Sequence, residues 1–287
     1  TSFSGSYIWS DGVDIYYSSG STQKVLNKST STWSTKTWSG LTNFDGANVW
    51  TDGEYIYYSR YASSSDYAHY VLTKGSSTWN YKTWYYSSGS NYYYFSGVNV
   101  WTDGTNTYIS RTNTSVGAGT NLVLDKSTST WRSKTWYGNF SKSDPNQNFN
   151  TDASNIWHDG NNVYCSDTMY MNKNFVLEKS TSRWNDMTWN GLTSFSGSYI
   201  WSDGVDIYYS MGYNSIQKKL NRLSNTWEDY AIPKQESFNF DGKYVWSDGT
   251  NVYYSNAAEQ YILNEATYVW ETKTYLPSLH TTRSEER

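Results

Sequence analysis

Phe44-Asp45-Gly46-Ala47-Asn48-Val49-Trp50-Thr51-Asp52-Gly53-Glu54-Tyr55-Ile56-Tyr57-Tyr58-Ser59 reads as strand, tight turn, strand. Asp-Gly between alternating apolar residues is a strong hairpin signal, because a two-residue type I′ turn needs positive φ at both central positions. The stretch recurs six times. Its tryptophan falls at Trp9, Trp50, Trp101, Trp157, Trp201 and Trp246, and Asp-Gly follows two residues later in every copy. The intervals are 41, 51, 56, 44 and 45 residues. Each is long enough for four strands, A to D, and none shows helical periodicity.

The first repeat shows the plan. Gly5 to Ser10 reads as strand A, Asp11-Gly12 as the turn, Val13 to Ser18 as B and Gln23 to Asn27 as C. Lys28-Ser29-Thr30-Ser31-Thr32 is a turn whose hydroxyls can bond nearby backbone, and Trp33 to Trp38 is D. Four strands per repeat predict an all-β fold, a six-bladed β-propeller of four-stranded antiparallel blades around a central channel. The blades are expected at about 3–38, 44–84, 95–136, 149–189, 195–232 and 240–275, within one domain over 1–275. Residues 276–287 show no strand pattern and read as a tail, linker or docked arm, so closure is expected from blade packing with help from that tail. Thr1 to Ser18 is identical to Thr193 to Ser210, the mark of a recent duplication. The sequence opens inside the first repeat, consistent with a preceding segment cut away or left out.

Composition narrows the class. Of 287 residues, 19% are aromatic and only 17% charged, so the core must rest on Tyr and Trp. A net charge of −4 argues against nucleic acid as a partner. No apolar run approaches the ~18 residues of a membrane-spanning helix. Cys165 stands alone, so no intrachain disulfide forms. Few charges and many Ser, Thr, Asn, Gly and Tyr favour an extracellular, cell-surface or virion location over the cytoplasm. Asn27, Asn113 and Asn139 head glycosylation sequons, relevant only to a secreting eukaryote.

The order Asp-Gly-x-x-Ile-Tyr, then Val-Leu-x-Lys-Ser-Thr-Ser-Thr-Trp, then a short last strand resembles the kelch repeat. Tyr16 with Trp33, Tyr57 with Trp79 and Tyr253 with Trp270 fall at that motif's Tyr and Trp, from about residue 3 to 275. Tyr17-Ser18, Tyr58-Ser59 and Tyr254-Ser255 stand where the family carries Gly-Gly. The resemblance implies a propeller that most often binds proteins. In its galactose-oxidase-like branch it implies a copper enzyme, whose paired His and Tyr with a Cys–Tyr crosslink cannot be placed here.

Every one of the 16 tryptophans occupies a repeat column. Six lie in strand A. Trp33, Trp79, Trp131, Trp184, Trp227 and Trp270 start strand D, and Trp38, Trp84, Trp136 and Trp189 end it. Residues required in every blade are packing residues rather than a sugar-stacking surface. Asp11, Asp52, Asp103, Asp159, Asp203 and Asp248 could ring a hard cation, but serve a turn more simply. Cys165 falls in an apolar strand column, and His69, His158 and His280 are scattered, so no metal site is expected. No G-x-S-x-G, H-E-x-x-H or phosphate-loop pattern occurs, and the C–D turns lack the sialidase Asp box. The chain is therefore expected not to be an enzyme, with no catalytic residues and no cofactor.

Length variation points elsewhere. A–B and C–D turns scarcely vary, whereas insertions fall in B–C and D–A loops such as Arg60 to His69, Arg111 to Thr120, Tyr85 to Tyr94 and Tyr137 to Asn148. Variable loops on a rigid scaffold carry recognition. These are rich in Tyr, which gives rigid contact area with a hydroxyl. Arg60, Tyr61, Asp66, Tyr67, His69, Tyr85, Tyr86, Tyr92, Tyr93, Tyr94, Arg111, Tyr137 and Tyr170, from blades two to four, are the expected ligand-binding set. The expected partner is a protein or a glycan. The alternatives are contact with a neighbouring domain or subunit, as in an appendage or virion component, and a galactose-oxidase-like or glycosidase enzyme.

Overall fold

The computed structural model describes residues 7–19, 22–41, 44–46, 48–63, 66–86, 100–110, 121–138, 156–167, 173–192, 195, 199–210, 217–230, 240, 244–256, 259–273 and 276–277. Every regular element among them is a strand. The first sheet has β1 (Ile8–Ser10), β2 (Ile15–Ser19), β3 (Thr22–Asn27) and β4 (Thr32–Thr35). The second has β5 (Val49–Thr51), β6 (Tyr55–Ser63), β7 (Asp66–Thr73) and β8 (Trp79–Tyr81). β9 (Tyr85–Tyr86) precedes β10 (Val100–Thr102), β11 (Thr107–Ser110), β12 (Asn121–Asp125) and β13 (Thr130–Ser133) of the third. β14 (Tyr137–Gly138) precedes β15 (Ile156–His158), β16 (Val163–Asp167), β17 (Lys173–Glu178) and β18 (Arg183–Met187) of the fourth. The fifth has β19 (Ile200–Ser202), β20 (Ile207–Ser210), β21 (Gln217–Asn221) and β22 (Thr226–Tyr230). The sixth has β23 (Val245–Ser247), β24 (Val252–Asn256), β25 (Glu259–Asn264) and β26 (Val269–Thr272), and β27 (Leu276–Pro277) follows. Neighbouring strands within each set of four are bonded in sequence order. The fold is an all-β, six-bladed β-propeller. Residues 1–47, 72–79 and 244–287 form one compact unit, and 48–71 with 80–243 a second.

The hairpin that opens each blade differs from the expected type I′ turn. Ser10 pairs with Ile15, so four residues, Asp11 to Asp14, bridge the strands. Gly12 is left-handed at φ 89°, while Asp11 is absent from the positive-φ residues. The aspartate side chain explains the change. Its Oδ1 accepts from the Val13 and Asp14 amides at 2.9 and 2.8 Å, and its Oδ2 from the Tyr16 hydroxyl at 3.1 Å. The same three bonds recur at Asp52, Asp103, Asp159, Asp203 and Asp248. A carboxylate that fills amide donors does the work that a second left-handed residue does in a two-residue turn.

That tyrosine stacks on the strand A tryptophan, with ring centroids 4.2–4.5 Å apart in all six blades. Fourteen of the sixteen tryptophans are buried, and Trp38 and Trp246 are half-buried, so the set is scaffold. Trp131 and Trp84 meet Trp50 at 6.1 and 5.8 Å in one cluster with Leu122 and Leu124. Cys165 is fully buried in the next cluster, against Phe175 and Trp184. Burial of such rings dominates the energetics, each Trp being worth about 3–5 kcal/mol against Ala.

In the C–D turns the hydroxyls bond nearby backbone as expected, Ser76 Oγ accepting from the Thr78 amide and Thr130 Oγ1 donating to the Thr128 carbonyl. A strand C carboxamide adds to them: Asn27 Oδ1 accepts from the Ser29 and Thr30 amides. Asn221 and Asn264 repeat this.

Among the described residues, successive blades from the first to the fifth are tied by a short parallel clasp. After its last tryptophan the chain reaches the D strand of the next sheet. Ser39 bridges to Thr78, Tyr85–Tyr86 pair with Thr130–Trp131, Tyr137–Gly138 with Arg183–Trp184, and Asn190 with Thr226. Gly40 is required beside the first of these, because a Cβ there would stand 1.9 Å from the Trp79 carbonyl oxygen. The tail expected to lack strand structure makes the same clasp, Leu276 and Pro277 pairing with Thr32 and Trp33 of β4. The last repeat is thereby joined to the first by backbone hydrogen bonding.

Candidate functional site

Where strand B ends, a buried relay repeats. Trp50 Nε1 donates to Ser59 Oγ at 3.0 Å, and Trp9, Trp101, Trp201 and Trp246 donate likewise to Ser18, Ser110, Ser210 and Ser255. The serine hydroxyl then donates to strand C. Ser210 reaches Gln217 Oε1 and Ser255 reaches Gln260 Oε1, each at 2.5 Å. In the second blade the corresponding residue is His69, whose Nδ1 lies 3.0 Å from Ser59 Oγ. Indole N–H can only donate, so the Ser59 hydroxyl accepts from Trp50 and also lies within hydrogen-bonding distance of the imidazole. Burial lowers the His69 pKa to about 4.

The structure moves one expected site residue out of its predicted loop. His69 belongs to strand β7, is 4% exposed, and holds a position of the internal relay. The predicted Arg60-to-His69 loop is mostly strand, β6 running to Ser63 and β7 starting at Asp66. Both strands run past the point where the first repeat turns. Tyr85, Tyr86 and Tyr137, expected in D–A loops, are clasp strands. Their parallel partners fix the backbone, but the Tyr85 and Tyr137 side chains stay 53% and 48% exposed.

Arg60 is half-buried on β6, two residues beyond Tyr58 and hence on the same strand face. Tyr61, Asp66, Tyr67 and Tyr86 lie on strands, with side chains outside the described residues. Tyr92, Tyr93, Tyr94, Arg111 and Tyr170 lie outside the described residues altogether. Tyr85 and Tyr137 occupy one register position on consecutive sheets, each just before the D-strand tryptophan of its partner, opposite Thr130 and Arg183. Arg60 belongs to the preceding sheet.

Tyr70 and Tyr81 were missed. With Tyr58 they form a ladder across β6, β7 and β8, with ring centroids 6.2 and 5.9 Å apart. It ends at Tyr81, 66% exposed. The corresponding cross-strand pair is Lys24–Thr35 in the first sheet and Leu122–Ser133 in the third. A pair of tyrosines at that position was the available signal.

The aspartate column is a turn element in geometry and charge. Burial raises the Asp11 carboxyl, but hydrogen bonds from the Asp14, Val13 and Gly75 amides and the Tyr16 hydroxyl outweigh it and hold the pKa below the usual value. Asp103, Asp159 and Asp248 are lowered against the same opposing burial. Their tyrosines are pushed up by burial first and the carboxylate second, Tyr164 to about 12. Among the described residues no group of three His, Cys, Asp or Glu could hold a metal.

No protein-family model matches the sequence, and a search of curated proteins finds no match. Solved structures of similar fold exist. A "putative 6-phosphogluconolactonase" from Bacteroides uniformis matches with a TM-score of 0.46 at 14% identity, over 90% of this chain and 90% of that one. A second, from Bacteroides fragilis, matches with a TM-score of 0.44 at 12% identity, over 94% and 92%. The extracellular domain of a "putative one component system" from B. thetaiotaomicron matches with a TM-score of 0.42 at 11% identity, over 93% of this chain. This chain spans 42% of that protein. The expectation that the chain is not an enzyme is corrected by the first two matches, since propellers described as enzymes stand among its structural neighbours. The activity in those descriptions belongs to those proteins.

Proposed function

We propose that the chain is a recognition module, holding a protein or a glycan through tyrosines exposed on its second to fourth sheets. One observation carries this reading. Tyr81, Tyr85 and Tyr137 are large, exposed and set on hydrogen-bonded backbone, at positions where several sister repeats carry Thr, Ser or Asn. Thr35 and Ser133 correspond to Tyr81, and Ser39 and Asn190 to Tyr85 and Tyr137. A scaffold that accepts serine there has no packing need for tyrosine. Rigid exposed tyrosines supply contact area at small entropic cost. The kelch-like placement of Tyr16 with Trp33 and of Tyr57 with Trp79 supports a protein ligand, and kinship with that family is part of the proposal. The reading calls for no cofactor.

The test replaces each tyrosine by the residue of a sister repeat, as Tyr81→Thr, Tyr85→Ser and Tyr137→Asn. Binding on a glycan array, or to a protein identified by pull-down, should fall at least about tenfold for the triple variant, with the melting temperature nearly intact. Collapse of the fold would return these residues to the scaffold and sink the reading. A change in native mass on substitution would reassign them to self-assembly.

A further inference from the structure

The fifth sheet carries a polar groove of about 300 Å³ lined by Asp206, Lys219, Leu220, Asn221, Arg222 and Glu228. It lies between the A–B turn and the C–D turn, apart from the exposed tyrosines. The molecule contains its own control. Residues 193–210 repeat residues 1–18, so Asp206 and Asp14 end identical hairpins. From β21 onward the two repeats part. Lys219 stands at the position of Val25, Arg222 at Lys28 and Glu228 at Ser34, while Leu220 and Asn221 match Leu26 and Asn27. The position of Lys219 is aliphatic in the other five repeats, as Val25, Val71, Val123, Val176 and Ile262. A lysine there gives up apolar contact with the neighbouring strand.

The charges form an ordered set. Lys219 Nζ lies 2.6 Å from Asp206 Oδ2, Asn221 Nδ2 donates to Glu228 Oε1 at 2.8 Å, and Arg222 Nη2 donates to the Val205 carbonyl at 3.0 Å. Two cations and two anions leave no net charge, which disfavours an ionic guest, since it would enter with its own charge uncompensated. Donors and acceptors side by side suit hydroxyl groups, each of which donates and accepts. Buried Leu220 gives a small apolar wall, and the side chain of Leu223, in the adjoining turn, is fully exposed. We propose that this groove is a binding site for a neutral saccharide, with Lys219, Asp206, Arg222 and Glu228 hydrogen-bonding its vicinal hydroxyls.

The double substitution Lys219→Val with Glu228→Ser restores the first repeat's residues, so the sheet has a proven alternative packing. Saturation-transfer NMR and calorimetry on the whole chain would use maltose, lactose and chitobiose, with glucose 6-phosphate and glucuronate as anionic comparators. At least one neutral disaccharide should bind saturably at roughly millimolar concentration. The double variant should weaken it about tenfold or more, while the exposed-site substitution Val13→Ser, away from the groove, leaves it unchanged. No saturable neutral ligand, stronger binding of the anions, or equal binding by the double variant would each overturn the assignment. Loss confined to the triple tyrosine variant would overturn it as well and place the sugar on the other surface.

Discussion

The first and fifth repeats share eighteen residues and then part, and their contrast separates frame from surface. In both, the tryptophan is buried and stacked, Trp9 on Tyr16 at 4.4 Å and Trp201 on Tyr208 at 4.2 Å. In both, the aspartate fills two amides and a phenol. Yet Asp11 is buried and also accepts from the Gly75 amide, whereas Asp203 is half-exposed. Identical sequence gives identical local bonding, and the segments packed on it give the individuality.

The largest test of that frame is Trp201→Ala beside Trp9→Ala. Each should cost about 3–5 kcal/mol in denaturant unfolding. A cost below about 1 kcal/mol at either site would show that the two hairpins are not equivalent.

The second test concerns the relay, where Gln217 stands in the fifth repeat and His69 in the second. The folded His69 pKa is depressed, so the fold favours the neutral ring. Above about pH 6.5 there is no effect. As pH falls below that, the unfolded chain takes up the proton first and stability is lost, until the folded ring also titrates near 4. His69→Gln should remove this loss, becoming more stable than the parent by up to roughly 3 kcal/mol at pH 4. Parallel stability curves for the two proteins would contradict the buried neutral imidazole.

A smaller difference is expected between Asp11→Asn and Asp203→Asn. The former also weakens the bond from the Gly75 amide and should be costlier by about 1 kcal/mol. The Asp11 pKa is depressed on folding, so its contribution is present above the unfolded value and fades as pH drops through the folded one. Thermal melts at pH 7 and pH 3 should therefore show the gap narrowing.

The smallest effect on stability belongs to Lys219→Val. The half-exposed pair with Asp206 is worth ~0–1 kcal/mol, and the valine regains apolar contact. Its melting temperature should stay equal or rise slightly, and a marked fall would give Lys219 a structural task.

The blade count, the strand order and the tryptophan scaffold were legible because they repeat. Six copies of Trp-x-Asp-Gly set the phase of every sheet. What stayed hidden turns on side chains that replace backbone features. Asp11 mimics a turn residue and Asn27 caps the C–D turn from strand C, and neither changes the hydrophobic pattern. The site was less legible. His69 read as loop because β6 and β7 run longer than their sister strands, and Tyr85 read as loop because a two-residue clasp leaves no periodicity. Tyr81 and Lys219 were visible only by comparison down a column, against Thr35 and Val25.

The clasp of Leu276 and Pro277 on Thr32 and Trp33 has a consequence during synthesis. The outer edge of β4 waits for partners that leave the ribosome about 240 residues later. The internal sheets receive their clasps within about 50 residues. Sheet three or four is thus positioned to fold early, and the first sheet to finish last with an open strand edge. Such late, long-range pairing is slow, and an unpaired edge invites other chains. Premature termination before residue 276 would leave that edge permanently bare, so a truncated product should aggregate rather than accumulate as a shorter propeller.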